Sequence, residues 1–442
     1  MKRAVVLSGG GTKGAYEVGV WQAIRELGID YQVVTGTSIG SINGALMCTG
    51  DFEACDAMWR GMVMGDLMSE THQGGRTLSG FFKSIFSPGE FMRDKMLAGA
   101  VDNSPFFDFI QKNIDEEKIR KSPVDYGCVT VRNRDRKPFC MPKNEIPQGL
   151  LRDYIIASAS VYPVFPMHLI GKDYFIDGMY HDNLPIDFAI RMGAGEIIAV
   201  DLHQEPQHPD FAGRPYVTYI TPSEDLGGIL AFDPEKIRKN IEMGYRDAMR
   251  TFGKYDGYVY CFKKESLEPY QHMIEAFNER CAQGQAMVNA STKAKGKRTA
   301  ETRYLFRELE KFARGHAVQK SDYFVRGAEI AAEICGLSHE TIWSMDELIR
   351  EVKKAFGVEN VTSYSQLLPK LNSDDVNSVK NSGRGLRKKL SQMKKERDSK
   401  YMTLLLLYLF SQMETTIQNV AAVVTVLQKE QLAALFIESI SH

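Results

Sequence analysis

The sequence has no excess of charge of either sign. Its 55 lysines and arginines face 56 aspartates and glutamates, for a net charge of −1, so no global field draws the chain to nucleic acid. Cysteine is sparse and unpatterned. The seven cysteines, at 48, 55, 128, 140, 261, 281 and 335, are odd in number and lack metal-ligand spacing, which excludes a disulfide framework and points to free thiols in a reduced compartment. No paired carboxylates and no Cys/His cluster suggest a catalytic metal, so the expectation is calcium-independent chemistry with no metal and no cofactor. No repeat recurs at a fixed period. Met1-Lys2-Arg3 runs straight into the first predicted strand, so no secretory leader is expected and a cytoplasmic location, peripheral to membrane at most, follows. Long apolar runs are also wanting. The least charged stretch, Tyr401–Leu427, holds Glu414 and the amides Gln412, Gln418 and Asn419 near its middle. A charge at the bilayer centre costs about 3 kcal/mol, so a buried helix or a dimer interface is expected there rather than an anchor.

What is present is concentrated in Met1–Gly44. An apolar run, Ala4-Val5-Val6-Leu7-Ser8, leads into Gly9-Gly10-Gly11-Thr12-Lys13-Gly14, and a second, Tyr31-Gln32-Val33-Val34-Thr35, ends in Gly36-Thr37-Ser38-Ile39-Gly40. The second motif is G-x-S-x-G, which sets a serine on a tight strand-to-helix turn with its hydroxyl pushed outward. Gly36 and Gly40 leave room for that turn. The first is a glycine-rich turn opening a helix, where unpaired backbone N–H groups favour negative charge. An exposed serine beside an anion-binding turn points to acyl transfer, with Ser38 as nucleophile and the Gly9–Gly14 turn stabilising the oxyanion. Two nucleotide-binding patterns compete for the first motif. A dinucleotide site needs an acid closing the second strand, but Asp30 precedes that strand. A P-loop needs Lys-Ser/Thr after its last glycine, and Ala15-Tyr16 stand there.

Residues 1–50 read as strand, helix, strand, helix, the start of a parallel α/β sheet. Further strands are predicted at Tyr126–Val131, Pro138–Met141, Tyr174–Met179, Gly195–Asp201 and Tyr216–Thr221, and a helix at Pro234–Arg250. Strand signals end near Phe262, closing the sheet. From about 270 onward the pattern is helical, with a long last helix, Tyr401–Ile440. The expected domains are therefore 1–270, an acyl hydrolase, and 271–442, a helical region that regulates or dimerises. Residues 61–111 are rich in Met and Phe. Phe81, Phe82, Phe86, Phe106 and Phe107 are candidates for the wall or lid of an acyl channel, since such side chains adapt to flexible chains; a second small core layer is the alternative. The basic run Arg387–Lys400 is a solvated face or a dock for anionic headgroups.

An activated serine needs a base. Asp177 and His181 both qualify on the residues alone: a triad uses His181, a dyad uses Asp177 directly. Here the motifs reach a family. The Gly9–Gly14 turn, Gly36-Thr37-Ser38-Ile39-Gly40 and Asp177-Gly178, with Ala157–Pro163 and His181-Asp182-Asn183-Leu184-Pro185 between and after them, resemble the patatin-like phospholipases over roughly residues 1–262. The resemblance implies a three-layer α/β/α sandwich with a mostly parallel central sheet. It also implies a Ser38–Asp177 dyad without histidine, and an oxyanion hole from the N–H groups of Gly10, Gly11 and Thr12, with Lys13 at the family's basic position. The family's Asp-Gly-Gly or Asp-Gly-Ala becomes Asp177-Gly178-Met179. The implied function is cleavage of acyl esters in phospholipids or lysophospholipids, with transient contact to a membrane surface. A broader carboxylesterase or thioesterase, or a lipase gated through the helical region, are the alternatives, and a homodimer through the C-terminal helices stays open.

Overall fold

Runs of small and β-branched residues, each bounded by turn chemistry, become the strands of one central sheet. The structure, a computed structural model, describes residues 1–61, 104–229, 233–294, 304–310, 318–361, 363–380, 385–412, 423 and 426–441. The chain divides into two compact units, Met1–Phe252 and Gly253–His442.

The first unit holds β1 (Lys2–Leu7), β2 (Val33–Thr37), β3 (Asp125–Arg132), β4 (Lys137–Pro142), β5 (His168–Ile170), β6 (Asp173–Asp177), β7 (Ala194–Val200) and β8 (Val217–Ile220). Their order is β5-β6-β3-β2-β1-β7-β8, with β4 also paired to β3. Strands β3, β2, β1, β7 and β8 run parallel, while β4, β5 and β6 are antiparallel additions. Both faces are covered. Ala4, Val6, Ile197, Ala199 and Val217 pack with Ile186 and Ala189 of the helix Ile186–Arg191. Alternate residues, Leu7 and Val34 among them, lie under α2 (Ile39–Thr49), where a Cβ on Gly44 would stand 3.0 Å from Val34 Cγ1. Burial on both faces is why these strands read as unbroken apolar runs rather than alternating ones. The helix α1 (Ala15–Glu26) lies against the helix Pro234–Thr251 with backbones in contact: a Cβ on Gly244 would meet the Tyr16 carbonyl at 2.0 Å. This is the mostly parallel α/β architecture expected from the sequence.

The second unit is mainly helical, with two departures from expectation. The apolar run ending at Phe262 does not close the central sheet. Its last residues, Cys261–Phe262 (β9), pair in parallel with Ile342–Trp343 (β10) in a small separate sheet. The reason is a buried carboxylate. Glu329 Oε1 accepts the N–H groups of Tyr258, Val259 and Tyr260 at 2.6, 2.9 and 3.1 Å, and Val259, Tyr260 and Phe262 sink into the second unit's core. Nor is Tyr401–Ile440 one helix. Ser399–Gln412 and Gln428–Ile440 are separate helices, and the chain leaves helical geometry at Leu427 (φ −122°, ψ 47°). Met402, Leu405 and Leu406 of the first, and Leu432, Phe436 and Ile437 of the second, are buried in the unit's own core. Their apolar surface is thus covered within the chain. Among the described residues no helix is long and apolar enough to cross a membrane.

Candidate active site

The turn after β2 is where the first unit concentrates strain. Ser38 has φ 55° and ψ −125°, a conformation L residues rarely adopt and which persists only where the surroundings enforce it. Close packing enforces it here: a Cβ on Gly40 would lie 2.6 Å from the Leu7 carbonyl oxygen, so β1 and the start of α2 meet backbone to backbone. The Ser38 N–H donates to the Ser158 hydroxyl at 3.0 Å, and the Ser41 hydroxyl donates to the Ser38 carbonyl at 2.6 Å. Ser38 is 8% exposed.

Strand pairing brings Asp177 to this serine. A strand has two edges, and β4 occupies one edge of β3 over Gly127–Arg132. The other edge is shared end to end. Asp125–Val129 pairs with β2, finishing at Thr37, and Thr130–Arg132 pairs with β6, finishing at Asp177 opposite Thr130. The carboxyl ends of β2 and β6 therefore point at each other across adjacent β3 residues. Gly178 fits between: a Cβ there would meet the Val129 carbonyl oxygen at 2.3 Å and Thr37 Cγ2 at 2.9 Å.

Asp177 is fully buried. Its Oδ1 accepts the Met179 N–H at 2.8 Å. Among the described residues its Oδ2 makes no hydrogen bond of good geometry, although the Ser38 hydroxyl is near enough to favour the charged form. Burial pushes the carboxyl up to about 7, against the opposing pull of the Met179 N–H and Ser38. Desolvation of this kind is how a weak carboxylate base is brought near neutral pH. The Met179 side chain is 41% exposed, so its bulk, which departs from the family pattern, meets solvent rather than the packing behind Asp177. His181 lies exposed on the surface, and its N–H caps the Gly178 carbonyl.

The glycine turn follows β1. Gly11 has φ 58°, and Gly11–Gly14 form a short 3-10 turn that runs into α1. A Cβ on Gly9 would stand 3.1 Å from Ser38 Cβ, so the turn faces the serine. Its N–H groups are not equivalent. Gly9 donates to the Asn183 carbonyl (3.0 Å), Thr12 to the Ile229 carbonyl (2.9 Å) and Lys13 to the Gly10 carbonyl (3.3 Å), and Gly14 closes the 3-10 turn. Only Gly10 and Gly11 have N–H groups with no acceptor among the described residues. Of the three N–H groups that the resemblance implies for an oxyanion, that of Thr12 is engaged, and its hydroxyl donates to the Gly228 carbonyl at 2.9 Å, so both hold the 228–229 segment.

Several residues to which the sequence reading gave no role hold this turn in place. Asn183 Nδ2 donates to the Gly9 carbonyl (3.1 Å) and the Ser8 hydroxyl (3.2 Å), and Gln207 Nε2 also donates to Ser8 (3.0 Å) and to buried Asp201 (2.7 Å). Asp201 further accepts the Tyr219 hydroxyl at 2.7 Å and the Gln207 N–H at 2.8 Å. Under the turn's far end, Asn43 Nδ2 donates to the Gly14 carbonyl (3.0 Å) and to Glu17 (2.7 Å), while Trp59 Nε1 donates to Asn43 Oδ1 (2.8 Å). Burial pushes the Glu17 carboxyl well up. One signal was available for Asp201: it closes a predicted strand as Asp177 does. Of the channel candidates, Phe81, Phe82 and Phe86 lie outside the described residues; Phe106 and Phe107 fall on the helix Ser104–Asn113, with side chains outside the description.

Residues 5–190 match the patatin-like phospholipase family, and this stretch contains the elbow, the glycine turn and Asp177. The chain is similar to patatin-like phospholipase domain-containing protein 6 of Homo sapiens, at 30% identity over 209 residues, covering 46% of this chain and 14% of that protein. It is also similar to lysophospholipase NTE1 of Mycosarcoma maydis, at 27% identity over 203 residues, covering 46% and 10%. The chain therefore spans only a small part of the length of these relatives. The solved structure of VipD from Legionella pneumophila aligns with 97% of this chain and 91% of that one, at 12% identity and a TM-score of 0.39, a likeness too loose to carry an inference.

Proposed function

We propose that this protein is a serine acyl hydrolase that cleaves acyl ester bonds of phospholipids or lysophospholipids. One observation carries the proposal: a serine on a strained elbow beside a dry carboxylate that has one oxygen without a hydrogen-bond partner and a pKa pushed up to about 7. The names of the relatives support the lipid ester as substrate.

Ser38 Oγ attacks the ester carbonyl carbon as its proton passes to Asp177 Oδ2. The carbonyl oxygen becomes an oxyanion and accepts the N–H groups of Gly10 and Gly11, which need no rearrangement to receive it. Collapse breaks the ester C–O bond, Asp177 returns its proton to the departing alcohol oxygen, and an acyl-serine remains. Water then attacks the acyl carbon, gives its proton to Asp177, and fatty acid leaves as Ser38 is reprotonated. A group that is base in one half and acid in the next works best with a pKa near the working pH. The site has no need of His181, whose ring lies in solvent. The test is mass spectrometry of a phospholipid mixture incubated with wild type and with Ser38→Ala. Wild type should release free fatty acid and the matching lysolipid or glycerophosphodiester. Equal release by the variant would refute the assignment.

A further inference from the structure

The first unit carries a cluster of exposed apolar side chains beside Asp177. A single exposed apolar residue is ordinary, whereas several gathered in one place mark a contact surface. Among the described residues eight large apolar or aromatic side chains are exposed, and four of them, Leu169, Tyr174, Met179 and Tyr180, fall in one short stretch of the chain.

Strand register explains where this cluster stands. β2 ends at Thr37, opposite Val129, but β3 runs on for three residues to Arg132. β4 and β6 pair with that extension, and β5 pairs with β6. A four-stranded ribbon therefore projects about 10 Å beyond the carboxyl end of β2, on the side where Ser38 stands. Two turns cap its far end, 133–136 between β3 and β4 and 171–172 between β5 and β6. The Asn133 N–H donates to the Tyr174 carbonyl at 2.8 Å, tying the first turn to the second hairpin. Leu169 and Tyr174 lie opposite each other in the β5–β6 pair, so their side chains share one face. The Arg136 guanidinium lies 5.9 Å from the centre of the Tyr180 ring, which joins the residues after Asp177 to the same end of the ribbon.

The charge left free at this end has one sign. The turns and their flanks hold Arg132, Arg134, Arg136, Lys137 and Lys172 against Asp135 and Asp173. Both carboxylates are taken, Asp135 by Arg132 at 2.7 Å and Asp173 by Arg134 at 3.0 Å. Arg136, Lys137 and Lys172 are exposed and have no carboxylate partner among the described residues. This mixture suits a lipid surface rather than a protein one. Protein interfaces exclude charge from their apolar centre, whereas here cations and apolar groups interleave. At a bilayer surface the two coexist: aromatic rings settle at headgroup level, and lysine and arginine are drawn to anionic lipid. The edge strand β5 has three residues, too few to recruit a second copy by strand addition.

Building on the acyl-hydrolase proposal, we propose that this ribbon end is the surface by which the protein seats on a bilayer containing anionic lipid. Leu169, Tyr174 and Tyr180 enter the headgroup layer, and Arg136, Lys137 and Lys172 meet the lipid phosphates. Seating there holds the Ser38 elbow within reach of an ester lifted from that layer.

The test is vesicle binding by the full chain carrying Ser38→Ala, so that lipid is not consumed. The vesicles are phosphatidylcholine alone and phosphatidylcholine mixed with phosphatidylserine. Binding should need the anionic lipid and weaken as salt is raised. Arg136→Asn, Lys137→Gln and Lys172→Gln together should lower the partition coefficient by about 10^2-fold, since each cation at an anionic surface is worth roughly fivefold. Asparagine suits residue 136, where φ is 54°. Leu169→Ser with Tyr174→Ser should lower it by about tenfold. Two matched tryptophan substitutions locate the contact. Emission of Tyr174→Trp should shift to the blue and be quenched by brominated lipid. Tyr216→Trp, exposed at the amino end of β8 and so at the opposite end of the sheet, should do neither. No binding to anionic vesicles, binding indifferent to both sets of substitutions, or quenching in Tyr216→Trp rather than Tyr174→Trp would each overturn the proposal. So would binding that is lost instead with Arg387→Gln, Lys388→Gln and Lys395→Gln, which would put the contact on the helix Leu386–Glu396. A dimer in sedimentation velocity that Leu169→Ser with Tyr174→Ser dissolves would give the face to a second copy and overturn it too. Fatty acid release from detergent-dispersed lipid separates the two proposals. Release by wild type without vesicle binding sinks the docking surface and leaves the hydrolase; vesicle binding without release does the reverse.

Discussion

Arg326 and Asp177, one buried charge from each unit, are handled in opposite ways. In the second unit, Arg326 is paired and built into the scaffold. Arg326, 1% exposed, bonds Glu329 at 3.0 Å and Glu333 at 2.9 Å, and Glu329 also takes three consecutive backbone N–H groups. In the first, Asp177 is buried with one oxygen that has no hydrogen-bond partner among the described residues, beside a serine in a rare backbone conformation and two glycine N–H groups without acceptors among those residues. Satisfied burial fixes a shape, whereas unsatisfied burial stores the capacity to react. We propose from this contrast that the first unit carries the chemistry and the second supports it.

The largest expected break in this contrast comes from the nucleophile. Ser38→Ala should lower kcat/KM on an ester substrate by about 10^4- to 10^6-fold, measured by fatty acid release. Next is the base. Asp177→Asn should cost about 10^2- to 10^4-fold, while His181→Ala should stay near wild type. The wild-type rate should fall as pH drops below about 7, where Asp177 takes up a proton. The same substitution sharpens the comparison through stability. A carboxyl titrating near 7 when folded and near 3.9 when unfolded binds more protons in the native state between those values. The contribution of Asp177 to stability should therefore decline from about pH 4 to about pH 7 and level off above. Asparagine has no such dependence, so the Tm of Asp177→Asn relative to wild type should climb over that window. A flat difference would mean that Asp177 is not strained by its burial. In the second unit the cost should appear in folding instead. Glu329→Ala removes one of the two carboxylates that pair Arg326 and the acceptor of three N–H groups, and should destabilise by about 3–5 kcal/mol, seen in denaturant melts, without altering the fluorophosphonate reactivity of protein that remains folded. The smallest effect is expected from Ser158→Ala, which removes the acceptor of the Ser38 N–H; a loss of about 1 kcal/mol in transition-state stabilisation should appear in kcat rather than KM.

The sequence was most readable where local chemistry and fold agree. The runs Ala4–Leu7 and Gly195–Val200 gave strands because both faces are buried, and the elbow gave a turn because only glycine at Gly40 permits the approach of β1. Asp177 and Ser38 were legible as types, but their meeting depends on β2 and β6 sharing one edge of β3, a non-local pairing with no mark in either motif. The same holds for the turn. Its glycines are visible, yet which N–H groups remain open depends on the carbonyls of Asn183 and Ile229, far along the chain. The apolar run at Val259–Phe262 looked like one more strand of the sheet because composition cannot say which core will bury it. The charged residue that decides, Glu329, lies about seventy residues later. The break at Leu427 carries no proline or glycine, so helix periodicity alone runs through it.

The most direct measurement of the central claim is the site of covalent capture. Wild-type protein treated with a fluorophosphonate and digested should yield one modified peptide, with the adduct on Ser38, and Asp177→Asn should slow its formation while Glu329→Gln in folded protein should not. An adduct on another residue, or labelling that persists in Ser38→Ala, would contradict the account.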